Sequence, residues 1–260
     1  AAPLLSPHAP TDAGVAAAWA PPSRAHPFGA DSLGRDVFSR VLHGARVSLS
    51  VGASVALAAT ALGVVVGVAA ARGGRLADQL LMRTTDLFLA LPLVVVVIVL
   101  ARLPERQGWA RALIGPPHSV RSVVVLITAV LWMPTARVVR SEVQTLGGRP
   151  FVEAARALGA SELRIVARHI LPNAAGPIAV NAVFNVVAGV LTETTLSFLG
   201  YGVDRVRTAT WGGLLADAKG DMGVAPWLVW APGGAVALTL LCVHLLGESL
   251  QRGHARAGSG

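Results

Sequence analysis

Apolar residues fall along this chain in five blocks long enough to cross a hydrocarbon layer, with short charged stretches between them. The blocks are Val47 to Ala71, Leu80 to Leu103, Val123 to Val139, Ile178 to Leu199 and Trp227 to Leu246. A bilayer core of about 30 Å takes about 20 mainly apolar residues per helix, so each block predicts a spanning helix. Core helices of a soluble protein are the alternative, but five such blocks leave too little polar sequence to cover them. Ahead of them, AAPLLSPHAP reads as the exit of an earlier span followed by Pro-rich polar chain. The expectation is an all-α membrane protein with five complete transmembrane helices plus the tail of a truncated first one. No basic segment followed by an apolar run precedes residue 40, so no cleavable signal peptide is visible.

The polar positions refine this outline. Residues 1 to 30 should be irregular, and Asp31 or Ser32 can cap a short helix whose Val37, Val41 and Leu42 oppose Arg35 and Arg40. That pattern predicts an interfacial helix, placing residues 1–45 outside the transmembrane domain of residues 46–260. In the first block, Gly63 and Gly67 form a small-xxx-small pattern, with Gly52 earlier, and are read as packing positions. Gly73 and Gly74 predict a tight connection, Arg83 and Asp86 share a helical face, and Pro92 should kink or break the second block. The stretch Pro104 to His118 should be an exposed loop. A central arginine costs roughly 2.5 to 3.5 kcal/mol on insertion scales, so Arg137 and Arg140 should lie at the interface, where the third span ends. Inside the fourth block, Asn181, Asn185 and Glu193 are the polar residues that could line or shape a path, although Glu193 could equally be a hydrogen-bonded group at a helix end. Gly200 to Pro226 reads as a polar loop.

Composition agrees with the pattern: 53% of residues are hydrophobic and 14% charged, against roughly a quarter charged in soluble domains. The formal charge of +8 sits in short loops, where anionic lipid headgroups are the ordinary partner; no nucleic acid is implied. Basic residues divide evenly between the two sides, so the positive-inside rule leaves orientation undecided. Cys242 is the only cysteine, which excludes an internal disulfide and a cysteine-based metal site. No catalytic constellation, metal motif or cofactor motif is found. A P-loop needs Gly-Lys-Ser/Thr, and the only lysine, Lys219, precedes Gly220 and Asp221. The chain is therefore not expected to be an enzyme.

One segment stands apart. Glu153 to Asn173, EAARALGASELRIVARHILPN, is charged and Ala-rich between two apolar blocks. Wound as one helix, it puts Ala154, Ala155, Leu158, Ile165 and Val166 in an apolar fan opposite Glu153, Arg156, Arg164 and Arg168, with Glu162 interrupting the fan. Gly159 marks a bend and Pro172 should stop the helix, leaving two short amphipathic pieces at the membrane surface. Such pieces could simply lie in the lipid interface.

The residues Glu153, Ala154, Ala155, Leu158, Gly159, Ile170, Leu171 and Pro172 resemble the EAA motif of ABC importer permeases. The run from His26 through Pro27, Gly29, Asp31, Gly34, Arg35, Asp36, Ser39, Arg40, Gly44, Arg46 and Ser48 to Leu49 is similar to the dipeptide, oligopeptide and nickel permeases of the DppC/OppC type. So are GGRLADQLLMRTTDLFLALPL, HILPN and ETTLSFLGYGV followed by WGGLL. Ala30 in place of the usual Thr, and DRVRTAT in place of a more Pro-rich stretch, depart from that family. The resemblance implies a type I importer permease (MetI-like) fold in the cytoplasmic (inner) membrane of a prokaryote, with residues 141–173 a cytoplasmic coupling loop. It further implies import of di- or oligopeptides by alternating access. The implied partners are a second, DppB/OppB-like permease, two DppD/DppF-like subunits that bind the ATP and Mg, and an extracytoplasmic solute-binding protein. A nickel importer, and a stand-alone proton-coupled carrier, remain open as alternatives.

Overall fold

The computed structural model describes residues 6–257, and every long element in it is a helix. Residues ahead of α1 (Val37–Arg72) are irregular, as expected; the expected exit of an earlier span, at residues 1–5, lies outside the described residues. The separate interfacial helix is corrected, because α1 runs unbroken through residues 45 and 46, where the transmembrane domain was to begin. No proline interrupts the stretch, and Arg40 is held at the helix start by Asp31 at 2.7 Å and Asp217 at 3.1 Å. The cap is also corrected: Asp36, not Asp31 or Ser32, accepts from the Ser39 amide at 2.8 Å. Asp31 instead accepts from the backbone N–H of Leu33 and Arg35, folding the preceding turn onto α1.

The second block is broken, as Pro92 suggested. Helices α2 (Gly74–Ala90) and α3 (Leu93–Ala101) meet at an extended Leu91 (φ −88°, ψ 145°), and the two arms differ in direction by 94°. The residue before proline is pushed out of the helical region, and proline cannot donate to the ladder. Four described helices are long and apolar enough to span a membrane, or five if this bent pair counts as one span. The segment expected as an exposed loop, Pro104 to His118, winds into α4 (Leu103–Arg106) and α5 (Gly108–Ile114). It buries Pro104, Ala110 and Ile114.

Helix α6 (Val120–Gly147) corrects the third span. It carries Pro134 internally and continues past Arg137 and Arg140 instead of ending there. Both arginines are paired with carboxylates of α2, Arg137 with Asp86 and Arg140 with Asp78. Asp86 thus finds its cation on another helix, not at Arg83. The chain then forms a run of short helices that leads into α10 (Ala175–Phe198), followed by α11 (Trp211–Asp217) and α12 (Trp227–Ala257). Within the expected polar loop Gly200 to Pro226, α11 is a buried element: its Trp211 is 2% exposed and donates its indole N–H to the Val41 carbonyl at 3.1 Å.

The glycines of α1 set the packing. A Cβ on Gly63 would lie 2.5 Å from Thr135 Cβ, and one on Gly67 would lie 2.6 Å from the Ala136 carbonyl oxygen. Gly52 meets α10 in the same way, 2.5 Å from Val190 Cγ2. The small-xxx-small reading therefore holds: bare backbone lets α6 and α10 close on α1. Val51, Val55 and Ala59 of α1 join Val123, Ile127 and Val130 of α6, Val97 of α3 and Leu196 of α10 in the central core.

Two predictions follow from this packing. Gly63→Val should wedge α1 from α6, destabilising the subunit by about 1–3 kcal/mol through overpacking, which a thermal melt in detergent would register as a lower Tm. At the start of α1, burial acts to raise the pKa of Asp36, but hydrogen bonds from the Ser39 hydroxyl and amide and from His26 outweigh it and hold the group below its ordinary 3.8. Its stabilisation should be complete above that value and fade as pH falls through the lower folded value. Hydrogen exchange at the Ser39 amide should accelerate in that acid range, and in Asp36→Asn the acceleration should be absent.

Candidate functional site

The segment between α6 and α10 is built as a bracket on the ends of two spanning helices. Gly148 closes α6, and Pro150 opens α7 (Pro150–Ala157), with Arg149 as its cap. Proline suits that first position, where its missing N–H is one the helix leaves free anyway. The helix ends in a Schellman pair: the Gly159 amide bonds the Arg156 carbonyl at 3.0 Å and the Ala160 amide bonds the Ala155 carbonyl at 3.1 Å. Gly159 takes φ +82°, and a Cβ there would meet nothing within 4 Å. The glycine is required by its dihedral and not by crowding.

The bend at Gly159 confirms two pieces. The second, α8 (Glu162–Ile165), passes through a π turn (Val166–Ile170) into α9 (Leu171–Asn173). The expected stop at Pro172 is corrected: the chain stays helical through it. The Leu171 amide reaches back to the Val166 carbonyl, so the ladder widens by one residue just before the proline that has no N–H to offer.

Burial divides the predicted residues into two faces. Ala155 and Ile170 are buried, and with Val152, Ile165 and Val166 they pack on Val139 and Val143 of α6. Val64, Val68 and Ala71 from the end of α1 close the same cluster. Glu153, Ala154, Gly159 and Pro172 are exposed, and Leu171 is half-buried. The single apolar fan is corrected, because Ala154 and Leu158 point outward, with Leu158 89% exposed. The fan carried a helical phase through Gly159, where the left-handed residue resets it. Two apolar residues missed by sequence reasoning join Leu158 outside: Phe151 and Leu163, the latter 78% exposed. For Phe151 the signal was present, since Phe151, Ala154 and Leu158 recur at helical spacing through α7 to its C-terminal cap.

Ionic contacts brace this bracket. Glu162 pairs with Arg156 at 2.9 Å across the Gly159 bend and also meets Arg72 at the end of α1. Glu153 lies in the first turn of α7, where the helix dipole favours a carboxylate. The outward side thus exposes Phe151, Leu158 and Leu163 among charged residues, on a bracket whose seat belongs to α1 and α6.

The three path candidates of α10 serve inter-helix contacts. Asn185 is buried and donates to Thr135 at 3.0 Å and Thr60 at 3.3 Å, while the Thr135 hydroxyl donates to Asn181 at 2.5 Å. One polar knot thereby joins α1, α6 and α10. Asn181 also edges a cavity of about 360 Å³ shared with Val138, Phe184 and Gln251. Glu193 is fully buried and accepts from Ser48 at 2.9 Å and Ser197 at 2.7 Å, and the Trp211 amide donates to the Ser48 hydroxyl. It ties α10 and α11 to α1.

Comparison with known proteins bears on this arrangement. Residues 63–256 match the family model described as the binding-protein-dependent transport system inner membrane component. The chain is 37% identical over 250 residues, 96% of its own length and 80% of the relative's, to a protein of Brucella suis biovar 1 provisionally named a peptide transport system permease protein. It is 34% identical to the oligopeptide transport system permease protein OppC of Bacillus subtilis, over 89% of this chain and 72% of that one. Among solved structures, an inward-facing MetNI methionine ABC transporter chain superposes with a TM-score of 0.67 at 16% identity, covering 82% of this chain and 95% of that chain. That likeness gives the fold, the type I importer permease fold expected from the sequence.

Because Gly159 is fixed by its dihedral, Gly159→Ala should cost about 1–2 kcal/mol locally. Amides of residues 150–165 should exchange faster with deuterated solvent, while those in the centre of α6 stay protected.

Proposed function

The chain belongs to the family of inner membrane components of binding-protein-dependent transport systems, and from that premise we propose that it is a permease subunit importing di- or oligopeptides by alternating access. The provisional peptide-permease name of the Brucella relative and the OppC name of the Bacillus relative support the cargo class. The observation that carries the mechanism is the two-faced loop of residues 149–173. Its inner face is packed on α1 and α6, while Phe151, Leu158 and Leu163 are left uncovered.

An apolar patch inside a charged rim is the anatomy of a protein contact. In this reading the patch docks on a separate ATP-binding subunit, one of two, and the loop faces the cytoplasm. Closure of the ATPases pushes the loop, and the seat passes the push to the ends of α1 and α6. ATP and Mg are bound by those partners. The opposite end, with α11 and the Gly200 to Pro226 segment, faces the extracytoplasmic binding protein, and a second permease completes the path in the inner membrane. Asn181, Asn185 and Glu193 shape that path through the helix contacts they hold.

Leu158→Asp and Gly159→Asp should each lower peptide uptake in cells roughly tenfold or more, the loss expected when a central apolar contact is removed from an interface. The variant should still insert and co-purify with the second permease while the ATPases dissociate. Normal uptake by both variants would sink the coupling role. The ligand carried by a co-purifying binding protein decides between peptide and nickel.

A further inference from the structure

The pairs Arg137–Asp86 and Arg140–Asp78 join two different helices and are open. Arg137 and Asp86 have side chains 46% and 61% exposed, and Arg140 and Asp78 are 31% and 22% exposed. By contrast Glu193 is wholly enclosed and Asn185 is 5% exposed.

For Arg137–Asp86 depth matters as much as exposure. Helix α6 spans Val120–Gly147, about 42 Å at the usual rise, against a hydrocarbon core of about 30 Å. At most about 12 Å of it can therefore project from the membrane, and tilting the helix reduces that allowance. Arg137 stands about 15 Å along the axis from Gly147, so its backbone lies about 3 Å inside the hydrocarbon layer if the whole excess projects at that end, and about 9 Å inside if the excess is shared between the ends. Its partner Asp86 lies about 18 Å along α2 from Gly74.

A half-exposed arginine and aspartate at that depth cannot be left facing lipid, since charged side chains within spans turn to a water-filled cavity or the bundle interior. We propose that the face of α2 and α6 bearing Asp78, Asp86, Arg137 and Arg140 is a wall of the water-filled translocation path. The guanidinium and carboxylate groups there can exchange their partners for the carboxylate or ammonium of a charged cargo, so the wall suits zwitterions. Calling this water the translocation path rests on the importer reading; the water itself does not.

The test is thiol labelling in membrane vesicles carrying the assembled transporter, after Cys242, the only native cysteine, is changed to Ala. Asp86→Cys and, separately, Arg137→Cys are exposed to a membrane-impermeant, charged methanethiosulfonate applied to the face bearing the 149–173 loop. Leu57→Cys, on an apolar position of α1 that is 76% exposed, is the lipid-facing reference. Both sites should react roughly tenfold or more faster than position 57, because thiol reactivity requires water and the thiolate. Reactivity as low as that of Leu57→Cys at both positions would overturn the proposal, whether lipid or the second permease covers the face. Two positions on different helices keep the result readable if one variant fails to insert. Labelling needs no ATP, so fast labelling in a chain that purifies without ATPases would retain the aqueous wall and refute only the importer.

Discussion

The contact on which this subunit depends is the close approach of α1 and α6, made possible where Gly63 and Gly67 present bare backbone to Thr135, Ala136 and Val139. In a bilayer there is no hydrophobic drive between helices, so association rests on tight packing and a few polar links. The approach supplies both. It creates the groove in which Thr60, Thr135, Asn181 and Asn185 find one another, and it brings the ends of α1 and α6 together as a single seat for the loop of residues 149–173. The two helices therefore hold the loop between them as one body.

Charge inside the spans is handled in three distinct ways. Glu193 is surrounded by hydroxyl groups and closed off. The asparagines are satisfied by threonines from two other helices. Arg137 and Arg140 of α6 are neutralised by aspartates of α2 and stay open. The first two arrangements lock elements together, and a polar group so enclosed has little left for cargo. The third keeps its hydrogen-bonding capacity on a surface.

Much of the architecture was legible in the sequence, because apolar blocks and prolines act locally. The five blocks, the break at Pro92, the bend at Gly159 and the packing glycines all follow from residues within a turn or two. What escaped depended on distant partners. A span was expected to end at Arg137 because an unpaired arginine is expensive; the carboxylates that remove the cost lie on α2. The burial of α11 depends on Val41 and Ser48, far away in the chain. For the loop, the motif residues fall in the bracket between α6 and α10, but which of them face outward could not be read by carrying one helical phase across a left-handed residue.

The right-angled break at Pro92 lets the second block meet α6 at two separate places. Its first arm, α2, follows the tight turn after α1 and is bound by ion pairs to α6, on the half of the bundle that carries the loop. Its second arm contributes Val97 to the central core together with Val123, Ile127 and Leu196. The elbow thus lets one block brace α6 at both ends, by ion pairs on the side of the loop and by apolar contact in the core, with only Leu91 and Pro92 left outside a helix.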